Sequence, residues 1–343
     1  MRWAIVEAAH FGSVRAEWDR LNRTRSPVLA SRFVAPLLRE FGEGCMLAVG
    51  GDPARPAALF LVQRDSSLGW STFQPSQAPL GLAVAEAPLA DLLPGLLRAL
   101  PGYALTFGLT QQDPDLQPRP AERGVLRNLD YIDTARVRVD GTFDAYWGAR
   151  GRNLRKNLKR QRNGLEREGV EARLETVTDP GDVAEAIAQY GVLETAGWKA
   201  SGGTAVAPDN DQGRAYRSLL EDFCAEGAGR IYRYRYGDAI VAMDLCIEQG
   251  GTLVILKTTY DESIRTSSPA MLMREESFRA IFDEGRVETI EFYGKVMEWH
   301  TKWSEDIRTL YHVTCYRWPA LGTAHGWAQR LRRGRGKPAA APA

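Results

Sequence analysis

Histidine and cysteine are scarce: the 343 residues hold four of each. Cys45, Cys224, Cys246 and Cys315 lie far apart with no CxxC spacing, which argues against a disulfide framework and a zinc site, so no metal is expected. His10, His300, His312 and His325 are equally dispersed, leaving little from which to build His–Cys catalysis. Charge of one sign is also missing. Lys plus Arg is 44 and Asp plus Glu is 43, a net +1, so no global basic field points to DNA. The longest purely apolar run, Ala57 to Val62, is far short of the ~20 residues of a membrane helix. MRWAIVEAAH has no signal-peptide core, and the cytoplasm is the expected location. What is present is the balance of a folded chain, 44% hydrophobic and 25% charged, long enough for about two domains of ~150 residues.

Proline divides the chain, with 12 of 18 in residues 1–140. That half reads as strands and short helices joined by Pro/Gly turns and carries no chemical motif; a structural or acceptor-binding role is expected. A switch follows at Thr142, a candidate N-cap for a helix from Phe143. Trp147, Leu154, Leu158 and Leu165 then mark one helical face, with Gly148 and Gly151 expected to break the helix early. Arg152, Arg155, Lys156 and Lys159 project from the rest of the segment. They read either as a solvated face or as a patch for phosphates or carboxylates. Helices around 180–196 and 211–226 flank the segment GWKASGGTAV. Three strands follow (230–236, 239–248, 252–260), then a helix from Ser268-Pro269 to about Glu284 and strands at 287–293 and 309–318. Residues 321–343 form a tail with Arg330, Arg332, Arg333, Arg335 and Lys337 and no acid, expected to be flexible and able to touch the inner membrane surface.

The second hairpin fixes a register if Gly250-Gly251 is a type I′ turn. Opposite residues then sum to 501, so Asp244 faces Lys257 and Cys246 faces Ile255. An acid and a base facing each other among apolar residues read as a structural ion pair or as a tuned proton-transfer site. After this hairpin, Arg265, Ser268 and Ala270 fit the form R-x-x-S-x-A at a strand-to-helix turn, where first-turn N–H groups make an anion site.

That form is close to the R/Q-x-x-G-x-G/A pyrophosphate loop of the GNAT acyltransferase superfamily. The chain resembles the branch holding cellulose-biosynthesis-type (CelD-like) acetyltransferases and, more distantly, Fem-type transferases. The matching segments are RNLRKNLKR (Arg152–Arg160), GWK (Gly197–Lys199), LKTTYDES (Leu256–Ser263), SPA (Ser268–Ala270) and EFYG (Glu291–Gly294) leading to Trp303. Members usually carry Ser-Pro-Gly where this chain has Ser268-Pro269-Ala270. Where many have Tyr-Lys before the tryptophan, it has Trp299 and His300.

The resemblance implies an α+β, mixed-sheet GNAT fold with two GNAT-like lobes, the first (1–140) degenerate and the second (141–320) catalytic. It implies transfer of an acyl group from acyl-CoA, a co-substrate rather than a resident cofactor, to an amine acceptor such as an amino sugar, an amino acid or an amino-lipid. Arg265, Ser267, Ser268 and Ala270 would hold the pyrophosphate. Base candidates are Asp244 (with Lys257), Glu291 and His300, and Tyr260 or Tyr293 suits protonation of the leaving thiolate. Arg155, Lys159, Trp198, Lys199 and Trp303 are candidate acceptor contacts. A Fem-like transferase fed by aminoacyl-tRNA and a non-catalytic binding module are the alternatives; near-neutral charge counts against a large tRNA footprint.

Overall fold

The computed structural model describes residues 1–195 and 206–324; Trp198, Lys199 and the end of the basic tail lie outside them. The first half holds β1 (Trp3–Glu7), α1 (Arg15–Leu21), α2 (Ser31–Phe41), β2 (Met46–Asp52), β3 (Arg55–Arg64), β4 (Gly69–Thr72), β5 (Ala83–Ala85), α3 (Leu89–Ala99), β6 (Thr106–Gln112) and β7 (Leu126–Arg138). The second holds α4 (Phe143–Ala149), α5 (Arg152–Arg167), β8 (Ala172–Val177), α6 (Val183–Thr195), α7 (Asp211–Ala225), β9 (Gly229–Tyr236), β10 (Ala239–Gln249), β11 (Thr252–Tyr260), α8 (Pro269–Glu284), β12 (Thr289–Glu291), α9 (Glu298–Thr301) and β13 (Asp306–Tyr316).

All the strands belong to one mixed sheet, ordered β1-β2-β3-β4-β6-β13-β7-β12-β11-β10-β9-β8, with β5 on β3. The order is nearly a palindrome because each half repeats one plan: a first strand, two helices, an antiparallel meander, a helix, and a parallel strand added to the end of the meander. The halves exchange their last strands. β7 lies beside β12 and β13 beside β6, and the two pair with each other, so the sheet is continuous across the sequence switch near residue 140.

Local chemistry explains the elements around the site. The Thr142 side chain caps α4 by accepting from the Ala145 N–H, and the helix stops at Ala149 before restarting at Arg152. Gly250 and Gly251 have φ of 58° and 74°, the left-handed pair that a two-residue type I′ turn requires. On one face of the sheet, Met243, Leu245 and Ile247 pack under α6 and α7 with Tyr190, Leu219 and Phe223. On the other, Leu253 and Ile290 pack under α8 and α5 with Leu158, Leu272, Phe278 and Trp303. A bulge beside Ile240 turns Val241 to this second face, away from Met243, Leu245 and Ile247.

Candidate active site

β11 and β12 run parallel but pair only over Thr252–Val254 and Thr289–Glu291. Beyond that point the second strand stays tied to β7, Phe292 N–H donating to Ala135 O (3.3 Å) and Val296 N–H to Asp133 O (2.8 Å). β11 instead follows β10, so a wedge opens between the two parallel strands, leaving main-chain groups on the inner edge of β11 without a strand partner. Both faces of this wedge carry a cavity.

On the α8 face, a cavity of about 660 Å³ is lined by Thr258, Tyr260, Arg265, Ser267, Ser268 and Ala270, with Arg274 and Trp299 behind them. The residues of the R-x-x-S-x-A form are therefore gathered at one opening with the end of β11. A second cavity of about 630 Å³, between the start of α5 and α9, shares Ser268, Met271 and Trp299 with the first. Ser268 occupies the N-cap of α8, but its hydroxyl makes no capping bond. Gln161 reaches over from α5 instead, its Oε1 accepting the Ser268 N–H at 2.9 Å. Gln161 is the polar residue on the Leu154–Leu158–Leu165 face, and its place in an apolar stripe was the signal for it.

The expected Asp244–Lys257 pair does not form. The ladder follows the derived register from Gln249↔Thr252 to Cys246↔Ile255, and then Leu256 bulges. Leu245 now faces Lys257 and Asp244 faces Thr258, so the slip by one residue sends the two charges to opposite faces. Asp244, 1% exposed, accepts from Thr258 Oγ1 (2.5 Å) and from Arg274 Nη2 (3.1 Å) at the back of the α8-face cavity. Lys257 pairs with Glu194 at 3.2 Å beside the Tyr190 and Tyr216 rings, under the other face. Arg274 had no signal in the sequence beyond its place in an otherwise mixed helix.

Glu291 ends the paired stretch of β12. Its Oε1 meets Arg308 Nη2 at 3.0 Å, while its Oε2 is buried without a partner. Arg308 is held more fully by Asp113, with contacts of 2.5, 3.0 and 3.1 Å, and Asp113 also accepts from the Tyr293 hydroxyl at 3.1 Å. Burial raises the Glu291 carboxyl to about 7, Arg308 opposing and the Asp113 charge reinforcing the rise. The two carboxylates are thus unequally placed: Asp113 holds both Nε and Nη2 of the guanidinium, whereas Glu291 shares Nη2 alone. Burial lifts the Tyr293 phenol well above its usual range.

His300 fits the base role poorly. It is buried, its Nδ1 accepts the Met297 N–H at 2.9 Å, and burial with the nearby Arg274 charge lowers it to about 4. Its ring lies 3.5 Å from that of Trp299. Trp303, expected to contact the acceptor, is fully buried between Trp147 and Phe278 and is core. Arg155 reaches back to the end of α4, Nε donating to Arg150 O at 3.1 Å, and Lys159 is exposed; neither lines the cavities beside the wedge.

The other face of the wedge opens on a cavity of about 460 Å³ between Val254–Leu256, Phe292–Gly294 and the first half's segment 74–79. The first half has its own version of the wedge, between β4 and β6, and there the chain fills it. Thr72 and Thr110 hydroxyls bond at 2.7 Å, and Gly81 N–H donates to Thr110 O at 3.2 Å. A Cβ on Gly81 would come within 2.4 Å of that oxygen, so only glycine seats the plug.

Residues 152–301 match the family model of an acetyltransferase (GNAT) domain. No curated protein matches the sequence. Among solved structures, the fold is similar to the C-terminal domain of a putative lysylphosphatidylglycerol synthetase from Agrobacterium fabrum, at 13% identity and TM-score 0.56, covering 94% of this chain and 96% of that one. FemX aligns at 9% identity and TM-score 0.56 over 94% of this chain and 99% of its own. A conserved protein of unknown function from Bacteroides thetaiotaomicron aligns at 15% and 0.53 over 92% and 99%. With a wedge between parallel strands and a turn-to-helix opening beside it, residues 152–301 carry the GNAT acetyltransferase-type fold.

Proposed function

We propose that the protein is an acyl-CoA-dependent N-acyltransferase with one working site, in the second half of the chain. The observation that carries this reading is the divergence of β11 from β12 with a cavity on each face. A thioester threaded from the α8 side would bring its carbonyl to the gap while an amine enters from the other. Ser267–Ala270 N–H groups and Arg265 would hold the pyrophosphate, the Ser268 N–H becoming available when Gln161 yields it. The amine nitrogen attacks the thioester carbon, a C–N bond forms and the C–S bond breaks. Unpaired main-chain N–H groups of β11 would support the developing oxyanion. Glu291, with its raised carboxyl and unpartnered Oε2, would take the amine proton directly or through water, and Tyr260 at the donor cavity would protonate the departing thiolate.

A second reading, an aminoacyl group delivered by charged tRNA, is favoured by the exposed cations Arg152, Lys156, Lys159 and Arg160 on α5, whose Gln161 touches the donor-side helix. Amine-dependent release of CoA thiol from acetyl-CoA separates the two. On the first reading kcat/KM rises as pH passes about 7, where Glu291 loses its proton, and Glu291→Gln lowers kcat on the order of 100-fold and removes that limb. Thiol release unaffected by the substitution would remove Glu291 from the role. Transfer from aminoacyl-tRNA with none from acetyl-CoA would favour the second reading.

A further inference from the structure

The cavity on the acceptor face has a composition that names a substrate class. Among the described residues that line it, none carries a charged side chain. Its polar side chains are three carboxamides, Gln74, Gln77 and Gln111, three phenols, Tyr131, Tyr216 and Tyr293, and the Ser76 hydroxyl. Gln77 is 8% exposed and its Oε1 has no hydrogen-bond partner. A buried carbonyl oxygen left unpaired costs roughly 1–3 kcal/mol, which a bound donor group would recover.

The backbone singles out the same place. Three non-glycine residues among those described have left-handed φ, and two of them, Gln111 (37°) and Tyr293 (49°), line this cavity. Both are held from outside it, the Gln111 N–H donating to His312 Nδ1 at 3.0 Å and the Tyr293 hydroxyl to Asp113. Strain kept in place by its surroundings is characteristic of binding sites.

We infer that the acceptor is an uncharged, polyhydroxylated primary amine of the amino-sugar class, and that Gln77, contributed by the first half of the chain, determines this specificity. The inference rests on the acyltransferase reading for the identity of the cavity as the acceptor side. Carboxamides both donate and accept, as a ring of hydroxyls does, and phenol rings offer faces to a sugar's C–H surface. A phosphorylated or carboxylated acceptor would find no cation among the described residues of the wall. A long apolar amine would leave the carboxamides unpaired, the mismatch against which polar sites discriminate most strongly. In the reaction the sugar's nitrogen forms the bond to the acyl carbon, CoA leaves, and the displaced amine proton passes to the CoA sulfur.

Calorimetry on the full chain tests this with three probes: D-glucosamine, cyclohexylamine and glucosamine 6-phosphate, each with and without CoA. Glucosamine is expected to bind at least about tenfold more tightly than either of the others. Gln77→Met should weaken glucosamine about tenfold while leaving acetyl-CoA and cyclohexylamine binding unchanged. Tighter binding of cyclohexylamine or of the phosphate, or no binding of glucosamine, overturns the inference by wild-type measurements alone. Unchanged glucosamine affinity in Gln77→Met of unchanged Tm removes Gln77 from it. Failure of acetyl-CoA to bind, with glucosamine bound as expected, would instead overturn the donor reading and leave the amino-sugar site standing.

Discussion

At the scale of single residues, the site is governed by which buried charges find partners. Asp244 and Arg274, 1% and 2% exposed, form a pair inside the apolar layer under α8. Two buried ions are tolerable together and costly apart, so Asp244→Ala should destabilise the fold by roughly 3–5 kcal/mol. The double substitution Asp244→Ala with Arg274→Met should recover much of that loss. Lys257→Met combined with Asp244→Ala should be additive, since the two side chains lie on opposite faces. Denaturant unfolding of the double-mutant cycles measures both couplings, and coupling to Lys257 without coupling to Arg274 would contradict the bulged register. Glu291 shows the opposite arrangement: burial raises its carboxyl to about 7, and its one guanidinium contact is shared with a better-placed Asp113.

At the scale of elements, one local device distinguishes the two halves. Both build a meander with a parallel strand added, but only the second leaves the wedge open. In the first, the segment ending at Gly81 inserts between β4 and β6 and takes the Thr110 carbonyl. Gly81→Val would push a side chain into Thr72 and Thr110, and such overpacking typically costs about 1–3 kcal/mol. A lower denaturation midpoint of that order is expected; an unchanged midpoint would mean the segment does not seal the gap.

The same scale shows what the sequence makes legible. The Gly250-Gly251 turn, the Thr142 cap and the Ser268-Pro269 helix start are local chemistry, and each stands in the structure where its residues imply. The bulge at Leu256 is not local. Nothing in LVILKTTY marks the extra residue, and it alone turns Lys257 away from the face that carries Asp244. Gln161 was visible as a polar break in an apolar stripe but not as a cap on a helix 107 residues away. The Asp113–Arg308–Glu291 cluster joins residues up to 195 positions apart through the strand exchange, which periodicity does not encode.

At the scale of the molecule, the near-palindromic sheet is a duplicated plan in which one wedge is plugged and the other is open, with the plugged half turning its 74–79 segment toward the cavity opposite α8 on the open one. On the proposed acyltransferase reading, this division leaves the chain one donor site rather than two. Calorimetric titration of acetyl-CoA into wild type and Ala270→Leu tests this most directly, because Ala270 lines the α8-face cavity at the start of α8 and a larger side chain there would block approach to the helix N-terminus. The account predicts one acetyl-CoA per wild-type chain, and affinity at least about tenfold weaker in Ala270→Leu with the melting temperature retained. Two donors bound per chain, or equal affinity in a folded Ala270→Leu variant, would contradict it.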